Sequence, residues 1–522
     1  MARPATRLSS SSTRQLASGG VIVETLVGKV EGVEKGGILQ FRAIPYAWAD
    51  RFRPPEPALP WAGVLDATQF GPAAPQEPSA TDALLGVRDQ VTSEDCLTLN
   101  VYTPAADDER RPVMVWIHGG GFTSGAGHLP YYNATKLAAE SNVVVVTINY
   151  RLGVLGFLYL DHLCPDLAGS GNNGLRDQIA ALEWVRDNVD AFGGDPGRVT
   201  IFGESAGGMS VATLLGAPAA QGLFHGAIAQ SGAAENVLDT DAASWVTDQV
   251  LDHLELGPGD VVQLLDVPLE EILTAQNAAE TAVLTGAPGP DRRATADLHL
   301  PFQPVVDGGL LTGPPLDAIR AGSAAGVPLV VGTTAEEWNL FALRDTLDDI
   351  GEARLHRRAT RMLGPELGEQ AIDVYRTARP AAHSGELWCA ILTDRVFRMP
   401  AVRLAEAQLP HAPHVAMYRF DYRSTVMDGQ VGACHAIDIP FVFNNVDQPG
   451  VQLLLGGVDE GTQALARQAS AAWARMAATG RPGGGDLDWP DYDLDRRATC
   501  IFDRTTTLVD DPEGAIRAFW TS

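Results

Sequence analysis

The chain has 522 residues, of which 45% are hydrophobic and 20% are charged, a composition typical of soluble globular proteins. Its formal net charge of -27 argues against nucleic acid and anionic membrane surfaces as partners, because an acidic surface repels phosphate groups. No apolar run approaches the roughly 20 residues that a membrane-spanning helix needs, so we expect no membrane partner.

The N-terminal segment contains arginines but no apolar stretch of the kind found in secretory signals. We therefore expect residues 1–20 to form a flexible tail and the protein to be cytoplasmic. No repeat or Pro/Gly/Ser-rich linker divides residues 21–522, which favours one large domain. The five cysteines lack metal-ligand spacing, and their odd number leaves at least one thiol free in a monomer. We expect a monomer or a weak homo-oligomer.

Continuous apolar runs recur along the chain and predict its buried strands. They lie at residues 113–117, 143–148, 199–202 and 327–333. Unbroken rather than alternating apolar runs are typical of parallel strands that helices cover on both faces. The predicted fold class is therefore α/β, with a mainly parallel central sheet.

Helical patterns fill the segments between these runs. Residues 176–192 have apolar side chains at helical spacing and predict a crossover helix, which Gly193 and Pro196 would end. Two further regions, about 235–325 and 340–410, are mostly helical in pattern, and we expect them to be insertions above the sheet. Because ligands of α/β folds bind outside the carboxyl ends of the strands, such insertions would form the walls of a pocket.

Residues 203–207 read Gly-Glu-Ser-Ala-Gly and match the G-x-S-x-G pattern, with a predicted strand before them and a predicted helix after them. A sharp strand-to-helix turn needs small residues at 203 and 207, since larger side chains would collide with adjacent strands. Ser205 would then be exposed on a strained turn, where it predicts a nucleophile. The alternative interpretation is a glycine-rich packing turn without chemistry.

A second glycine-rich motif, WIHGGGF at residues 116–122, directly follows the first predicted strand. Ester hydrolysis passes through a tetrahedral oxyanion, which preorganised backbone N–H groups stabilise. We predict that the N–H groups of Gly120, Gly121 and Ala206 form this oxyanion hole. His118 is expected to order the turn rather than to act as a base.

A serine nucleophile needs a histidine base and an acid that orients the imidazole. In folds with this turn the chain order is Ser, then Asp or Glu, then His. His435 stands between small residues and an apolar run, a setting that would bury an imidazole beside a pocket. Glu336 and Glu337 follow the last predicted strand, at the end where catalytic groups gather, and position alone does not choose between them.

Longer motifs carry a resemblance to a known family. They are SEDCLTLNVYTP at 93–104, NYRLGVLGFL at 149–158, GNNGLRDQIAALEWVRDNVDAFGGDPGRVTIFGESAGG at 171–208, and CHAIDIPFVF at 434–443. In this order, and from about residue 22 to 520, the chain resembles the type B carboxylesterases and cholinesterases, most of all the bacterial p-nitrobenzyl esterase type. The resemblance implies an α/β-hydrolase fold with helices on both faces of the sheet and helical insertions over the active site.

The resemblance also implies an activity and its residues. It assigns the acid to Glu337 and the base to His435, and it implies a serine carboxylesterase that hydrolyses uncharged, small-molecule esters through an acyl-enzyme. We expect no cofactor and no metal. The alternatives are a catalytically silent binding or adhesion member of the same fold, and an amidase or carbamate hydrolase. Two structural ion pairs are implied as well, Arg51 with Glu94 and Arg151 with Asp177.

Two departures from the family pattern bear on location and substrate. Secreted relatives bridge the cysteine of the SEDC motif to one upstream, but residues 70–76 offer Cys96 no partner, which weakens the case for secretion. Cholinesterases carry a tryptophan before this motif to bind a quaternary ammonium group, whereas residues 81–92 contain no aromatic side chain. We therefore expect no choline site, and expect Trp338 beside the acid to be a packing residue.

Overall fold

The computed structural model describes residues 14–15, 20–78, 90–285, 300–342 and 350–521. The predicted tail and the segment without aromatic residues before the SEDC motif fall mostly outside these ranges.

The strands are β1 (Arg14–Gln15), β2 (Gly20–Glu24), β3 (Lys29–Lys35), β4 (Ile38–Pro45), β5 (Ala47–Trp48), β6 (Glu56–Pro57), β7 (Val64–Asp66), β8 (Thr98–Thr103), β9 (Arg111–Ile117), β10 (Val144–Ile148), β11 (Gly194–Glu204), β12 (Gly226–Gln230), β13 (Leu329–Thr334), β14 (Val415–Phe420), β15 (Ala498–Phe502) and β16 (Thr507–Asp510).

The α-helices are α1 (Thr135–Ser141), α2 (Gly153–Phe157), α3 (Asn173–Asn188), α4 (Ala206–Gly216), α5 (Thr240–His253), α6 (Leu269–Thr285), α7 (Pro315–Arg320), α8 (Asn339–Ala342), α9 (Glu352–Leu363), α10 (Pro365–Ala378), α11 (Ser384–Thr393), α12 (Met399–Gln408), α13 (Ile439–Val442), α14 (Pro449–Leu455), α15 (Glu460–Thr479) and α16 (Gly514–Thr521). Short 3₁₀ turns connect several of them, and a π-helical turn, Asp394–Arg398, joins α11 to α12.

Most of the strands form one sheet. Within the described residues fourteen strands pair in the order β1-β2-β3-β4-β8-β10-β9-β11-β12-β13-β14-β15-β16, with β7 beside β3. The central strands from β10 to β15 are parallel, and the pairs outside them are antiparallel apart from β3 with β7. All seven residues of β9 and all five of β10 are buried, as unbroken apolar runs between two helical layers require. The predicted α/β class and mainly parallel sheet are confirmed.

The helical predictions hold in most places. The crossover helix is α3, which buries Ile179, Leu182 and Val185, and the left-handed Gly193 follows the 3₁₀ turn after it. Helices also make up most of the described residues in the regions before and after β13, although 300–314 is not helical and 286–299 and 343–349 lie outside the described residues. One of them differs from the expectation of an insertion above the sheet, because α12 packs against β13 and β14. This helix is apolar around most of its surface, as a helix buried between a sheet and its neighbours must be.

The sheet brings the predicted motifs to one edge. The glycine loop follows β9, the serine turn follows β11, and the acidic pair follows β13. Because these strands are parallel, their carboxyl ends lie at the same edge. β9 and β11 are direct neighbours, and Gly203 is in register with Ile117, so the two motifs leave the sheet side by side.

Both ion pairs that the resemblance implied are present. Arg51 Nη2 lies 2.6 Å from Glu94 Oε1, and Arg151 Nη2 lies 2.7 Å from Asp177 Oδ1, with both members of the second pair buried. Each pair joins segments that are distant in sequence, and both predictions are confirmed.

None of the helices in the described ranges combines the length and the apolar character that a bilayer span requires.

Candidate active site

Ser205 occupies a strained turn between β11 and α4. Its φ of 56° and ψ of -126° are unusual for a residue with a side chain, and its N–H donates to the carbonyl of Gln230 at 3.0 Å. A methyl group at Gly207 would stand 2.0 Å from the carbonyl oxygen of Ile117, and one at Gly203 would stand 2.6 Å from the backbone of Gly207. The turn is therefore sterically closed to larger residues.

The predicted oxyanion donors lie beside this turn. The backbone of Gly120 has φ +107° and that of Gly121 has φ +62°, conformations that favour glycine. No described residue accepts a hydrogen bond from the N–H of Gly120, Gly121 or Ala206. A methyl group at Gly119 would stand 2.7 Å from the carbonyl oxygen of Glu204, so the glycine loop contacts the serine turn directly. Three unengaged donors thus lie on adjoining segments.

His118 has the structural role expected of it. Its ring is buried, stacks on Tyr150 with 4.5 Å between ring centroids, and has Nδ1 2.8 Å from the carbonyl oxygen of Gly119. Burial lowers the pKa of His118 to about 4, which keeps the ring neutral.

The structure brings Glu337 and His435 together. Nδ1 of His435 donates to Oε2 of Glu337 at 2.6 Å, although the two residues are 98 positions apart. Glu337 is fully buried, and its other oxygen accepts from the hydroxyl of Ser231 at 2.6 Å and from the N–H of Thr334 at 2.7 Å. The carboxylate is therefore fixed from two sides, and it holds the imidazole with Nε2 pointing away from it.

The other ring nitrogen is available for chemistry. Nε2 of His435 is buried and makes no hydrogen bond with any described residue, Ser205 included. It lies 3.2 Å from Oε1 of Glu204, the residue directly before the serine. Catalytic hydrogen bonds are often long in unliganded enzymes and tighten when substrate binds.

Two buried acids at this site have no assigned role in the sequence prediction. Glu204 and Asp438 are both almost completely buried. Oδ2 of Asp438 accepts from Gln230 Nε2 and from the hydroxyl of Tyr418, each at 2.9 Å. The acid directly before Ser205 was visible in the sequence, as was Asp438 three residues after the histidine. Only the folded structure shows that both acids lie near the imidazole of His435.

These acids change the titration of the site. Burial alone would lower the pKa of His435, but the negative charges of Glu204 and Glu337 outweigh it and raise the pKa to about 9. Burial also raises the pKa values of Glu204 and Asp438, and the positive charge of His435 opposes both shifts. The environment thus favours the charged, imidazolium form of His435.

Aromatic rings form one wall beside the imidazole. The ring centroid of His435 lies 5.1 Å from that of Phe341 and 4.8 Å from that of Phe397, which sits in the π-helical turn. Trp338 is half-buried and packs against Phe341 at 5.0 Å. Turns of π-helix are frequent at functional sites, and the one at Asp394–Arg398 places Phe397 against His435.

The described residues contain no cluster of three His, Cys, Asp or Glu side chains arranged for a metal ion. All five cysteines are free thiols, and Cys96 is buried.

Comparison with known proteins gives close relatives over almost the full length. The para-nitrobenzyl esterase of Bacillus subtilis (strain 168) is 40% identical over 504 residues, which cover 95% of this chain and 97% of the relative. The phenmedipham hydrolase of Pseudarthrobacter oxydans is 33% identical over 500 residues, covering 92% of this chain and 94% of that protein. The crystal structure of a Geobacillus stearothermophilus carboxylesterase superposes with a TM-score of 0.84 at 42% identity, covering 96% of this chain and 99% of the other.

The sequence model of the carboxylesterase family matches residues 20–519. The predicted family, fold and reaction class are therefore confirmed: this chain belongs to the carboxylesterase family and is a carboxylic ester hydrolase.

Proposed function

We propose that this enzyme hydrolyses small, uncharged carboxylic esters through an acyl-enzyme on Ser205, with His435 as the base and Glu337 as the residue that orients it. The single observation that carries this proposal is the 2.6 Å hydrogen bond from His435 Nδ1 to the buried Glu337 carboxylate, beside a serine held on a strained turn.

The reaction follows from these positions. Oγ of Ser205 attacks the ester carbonyl while Nε2 of His435 takes the hydroxyl proton, and the imidazolium formed is stabilised by Glu337. The same proton passes to the departing alcohol, which leaves the acyl group on the serine. A water molecule then attacks the acyl group while His435 again acts as the base, and the carboxylic acid product leaves Ser205.

The oxyanion that forms in each half-reaction needs donors in place beforehand. We assign this role to the free N–H groups of Gly120, Gly121 and Ala206. One such donor is worth about 3 to 4 kcal/mol of transition-state stabilisation in other serine hydrolases. The positive φ angles of Gly120 and Gly121 support the assignment, because they favour glycine, and glycine lets the backbone approach the substrate oxygen closely.

An uncharged substrate fits the surroundings of the imidazole. The adjoining wall is formed by Phe341 and Phe397, whose rings are parallel within 7° and carry no charge. Trp338 packs on Phe341, as the packing role expected for it requires. The para-nitrobenzyl esterase and the carboxylesterase among the relatives are named for ester hydrolysis, which supports a small ester as substrate.

The retained residues argue against a catalytically silent binding protein. Nucleophile, base and acid are all present, and the acid is fixed by Ser231 and Thr334 as well as by the histidine. A protein that only bound ligands would have no use for a buried carboxylate oriented in this way.

The test is covalent labelling of the intact protein with a phosphonate ester, followed by peptide mass analysis. We expect one adduct, on Ser205, and a Ser205→Ala variant that folds normally but keeps less than about a hundredth of the wild-type turnover. An adduct on another residue, or retained turnover in the variant, would reject the assignment.

We also propose that the enzyme acts in the cytoplasm as a monomer or a weak homo-oligomer. The buried, unbridged thiol of Cys96 supports a reducing compartment. Cell fractionation and light scattering of the purified protein test these two points, and a periplasmic or secreted enzyme or a tight oligomer would contradict them.

A further inference from the structure

We propose that Glu336 is a positioning residue, which fixes His435 by holding the chain segment before it. This inference rests on the function proposed above, and it concerns the member of the acidic pair to which the mechanism gives no part. For clarity, residues 335–338 are called the acid loop and residues 432–435 the histidine loop.

The two loops are joined by their backbones at two points. The N–H of Glu336 donates to the carbonyl of Ala433 at 3.0 Å, and the N–H of His435 donates to the carbonyl of Glu337 at 3.3 Å. The histidine loop therefore runs alongside the acid loop, and the position of the imidazole depends on how closely the two stay together.

The side chain of Glu336 completes this junction. Its Oε2 accepts from the N–H of Ala433 at 2.8 Å, so Ala433 is held through both its N–H and its carbonyl by one residue. Its Oε1 accepts from Arg423 Nη1 at 2.6 Å. Ala433 is completely buried, and without the carboxylate its N–H would lose the acceptor that the fold provides.

The backbone at Gly432 is adapted to this contact. Its φ is +57°, and a methyl group there would stand 2.2 Å from Oε2 of Glu336. The carbonyl of Gly432 accepts from the N–H of Ser424 at 2.9 Å, so the segment is also held from its other side. Glycine at this position lets the carboxylate reach Ala433, and a larger residue would displace it.

The expected role is geometric rather than electrostatic. A catalytic group displaced by about 1 Å can lose about a hundredfold in rate, and Ala433 is only two residues from the base. Loosening the histidine loop should lower kcat, because proton transfer needs the imidazole in place, and should leave KM close to its wild-type value.

Two conservative variants separate geometry from charge. Glu336→Gln keeps an oxygen that can accept from Ala433 but removes the charge, whereas Glu336→Asp keeps the charge on a chain one methylene shorter. With nitrophenyl butyrate as substrate, we expect kcat to stay within about threefold of wild type for E336Q and to fall about 10-fold to 100-fold for E336D. KM should change less than about twofold in both.

Two further variants test the contact itself. Gly432→Ala should lower kcat as E336D does, because its methyl group displaces the carboxylate, and in an E336A background it should cost less than it does alone. Arg423→Ala is the matched control, since it removes the outer partner, which is more than half exposed, and leaves the bond to Ala433 in place. We expect its kcat to stay within about twofold of wild type.

The pH at which kcat/KM falls on the acidic side distinguishes a positioning role of Glu336 from an electrostatic one. If Glu336 acts only by positioning His435, the acidic inflection of the pH profile is the same in E336Q as in the wild type. If the charge of Glu336 helped to raise the pKa of His435, the inflection would move to lower pH in E336Q. The proposal is overturned if E336Q is as slow as E336D, if both match wild type, or if E336Q lowers the inflection. Retained phosphonate labelling of Ser205 in every variant separates these outcomes from failure of the proposed function.

Discussion

The carboxylate of Glu204 lies 3.2 Å from Nε2 of His435, on the side of the imidazole opposite Glu337. The imidazole thus has an acid at each nitrogen, and the one at Nε2 belongs to the residue next to Ser205, the proposed nucleophile. A positive ring is stabilised here both by Glu337 at Nδ1 and by Glu204 at Nε2, the nitrogen to which we assign the proton transfer.

This arrangement predicts where activity is lost on acidification. A protonated imidazole cannot act as a base, so kcat/KM falls as pH drops through the pKa of His435. Because neighbouring carboxylates raise that pKa, we expect the inflection above the ordinary value of about 6.5. Glu204→Gln removes a charge that favours the imidazolium, and it should shift the inflection down. A pH profile of both proteins checks this, and an unchanged or higher inflection in the variant would contradict it.

The two members of the acidic pair should differ sharply on conversion to amides. Glu337→Gln no longer holds the Nδ1–H tautomer of His435 and should lower kcat by about 10³ to 10⁴-fold. Glu336→Gln is the adjacent control and should remain mild. Steady-state kinetics with a neutral nitrophenyl ester gives both values, and the opposite order would reassign the acid.

The buried ion pair of Arg151 and Asp177 predicts a large effect on stability. Both oxygens of Asp177 accept from Arg151, and neither side chain reaches solvent to any extent. Asp177→Asn leaves a buried cation without its counter-charge and should lower the free energy of unfolding by about 3 to 5 kcal/mol.

Asp187 provides a matched control for this stability measurement. It pairs with Arg186 on the surface of the same helix, with both side chains more than 40% exposed. Asp187→Asn should change the free energy of unfolding by less than about 1 kcal/mol. Denaturant unfolding of both variants measures the difference, and equal losses would show that burial does not decide the value of the pair.

Substrate charge gives a prediction at the level of specificity. A net charge of -27 attracts cationic esters at low salt, but a quaternary ammonium group binds best to the face of a tryptophan ring, and the tryptophan of the aromatic wall beside His435, Trp338, packs against Phe341. At 0.15 M salt, where long-range attraction is largely screened, a neutral ester should exceed a choline ester of equal acyl length by at least about tenfold in kcat/KM. Equal or better use of the choline ester would require a cation site near this wall.

Much of the site is visible in the sequence because its geometry is local. The strain at Ser205 and the exclusion of larger residues at Gly203 and Gly207 follow from a strand that must turn at once into a helix. Spacing could not choose between Glu336 and Glu337, because both follow the same strand. Their difference is a matter of which carboxylate turns inward, and this depends on packing against Ser231.

Contacts between distant segments were beyond sequence reasoning. Ser231 carries no pattern of its own, and it reaches Glu337 only because β12 lies between β11 and β13. The position of the helix at residues 399–408 could not be predicted from the sequence either. Its sequence predicts a helix, but periodicity alone does not tell whether that helix lies above the sheet or is buried against its face.

One link in the site has a consequence for how the enzyme becomes active. Gln230 holds the backbone of Ser205 through its carbonyl and Asp438 through its side chain, 208 positions away. No segment of the chain contains a working site, so turnover reports the complete assembly of the sheet. During refolding from denaturant, helical circular dichroism should therefore return before esterase activity, because local helices form much faster than contacts between remote strands.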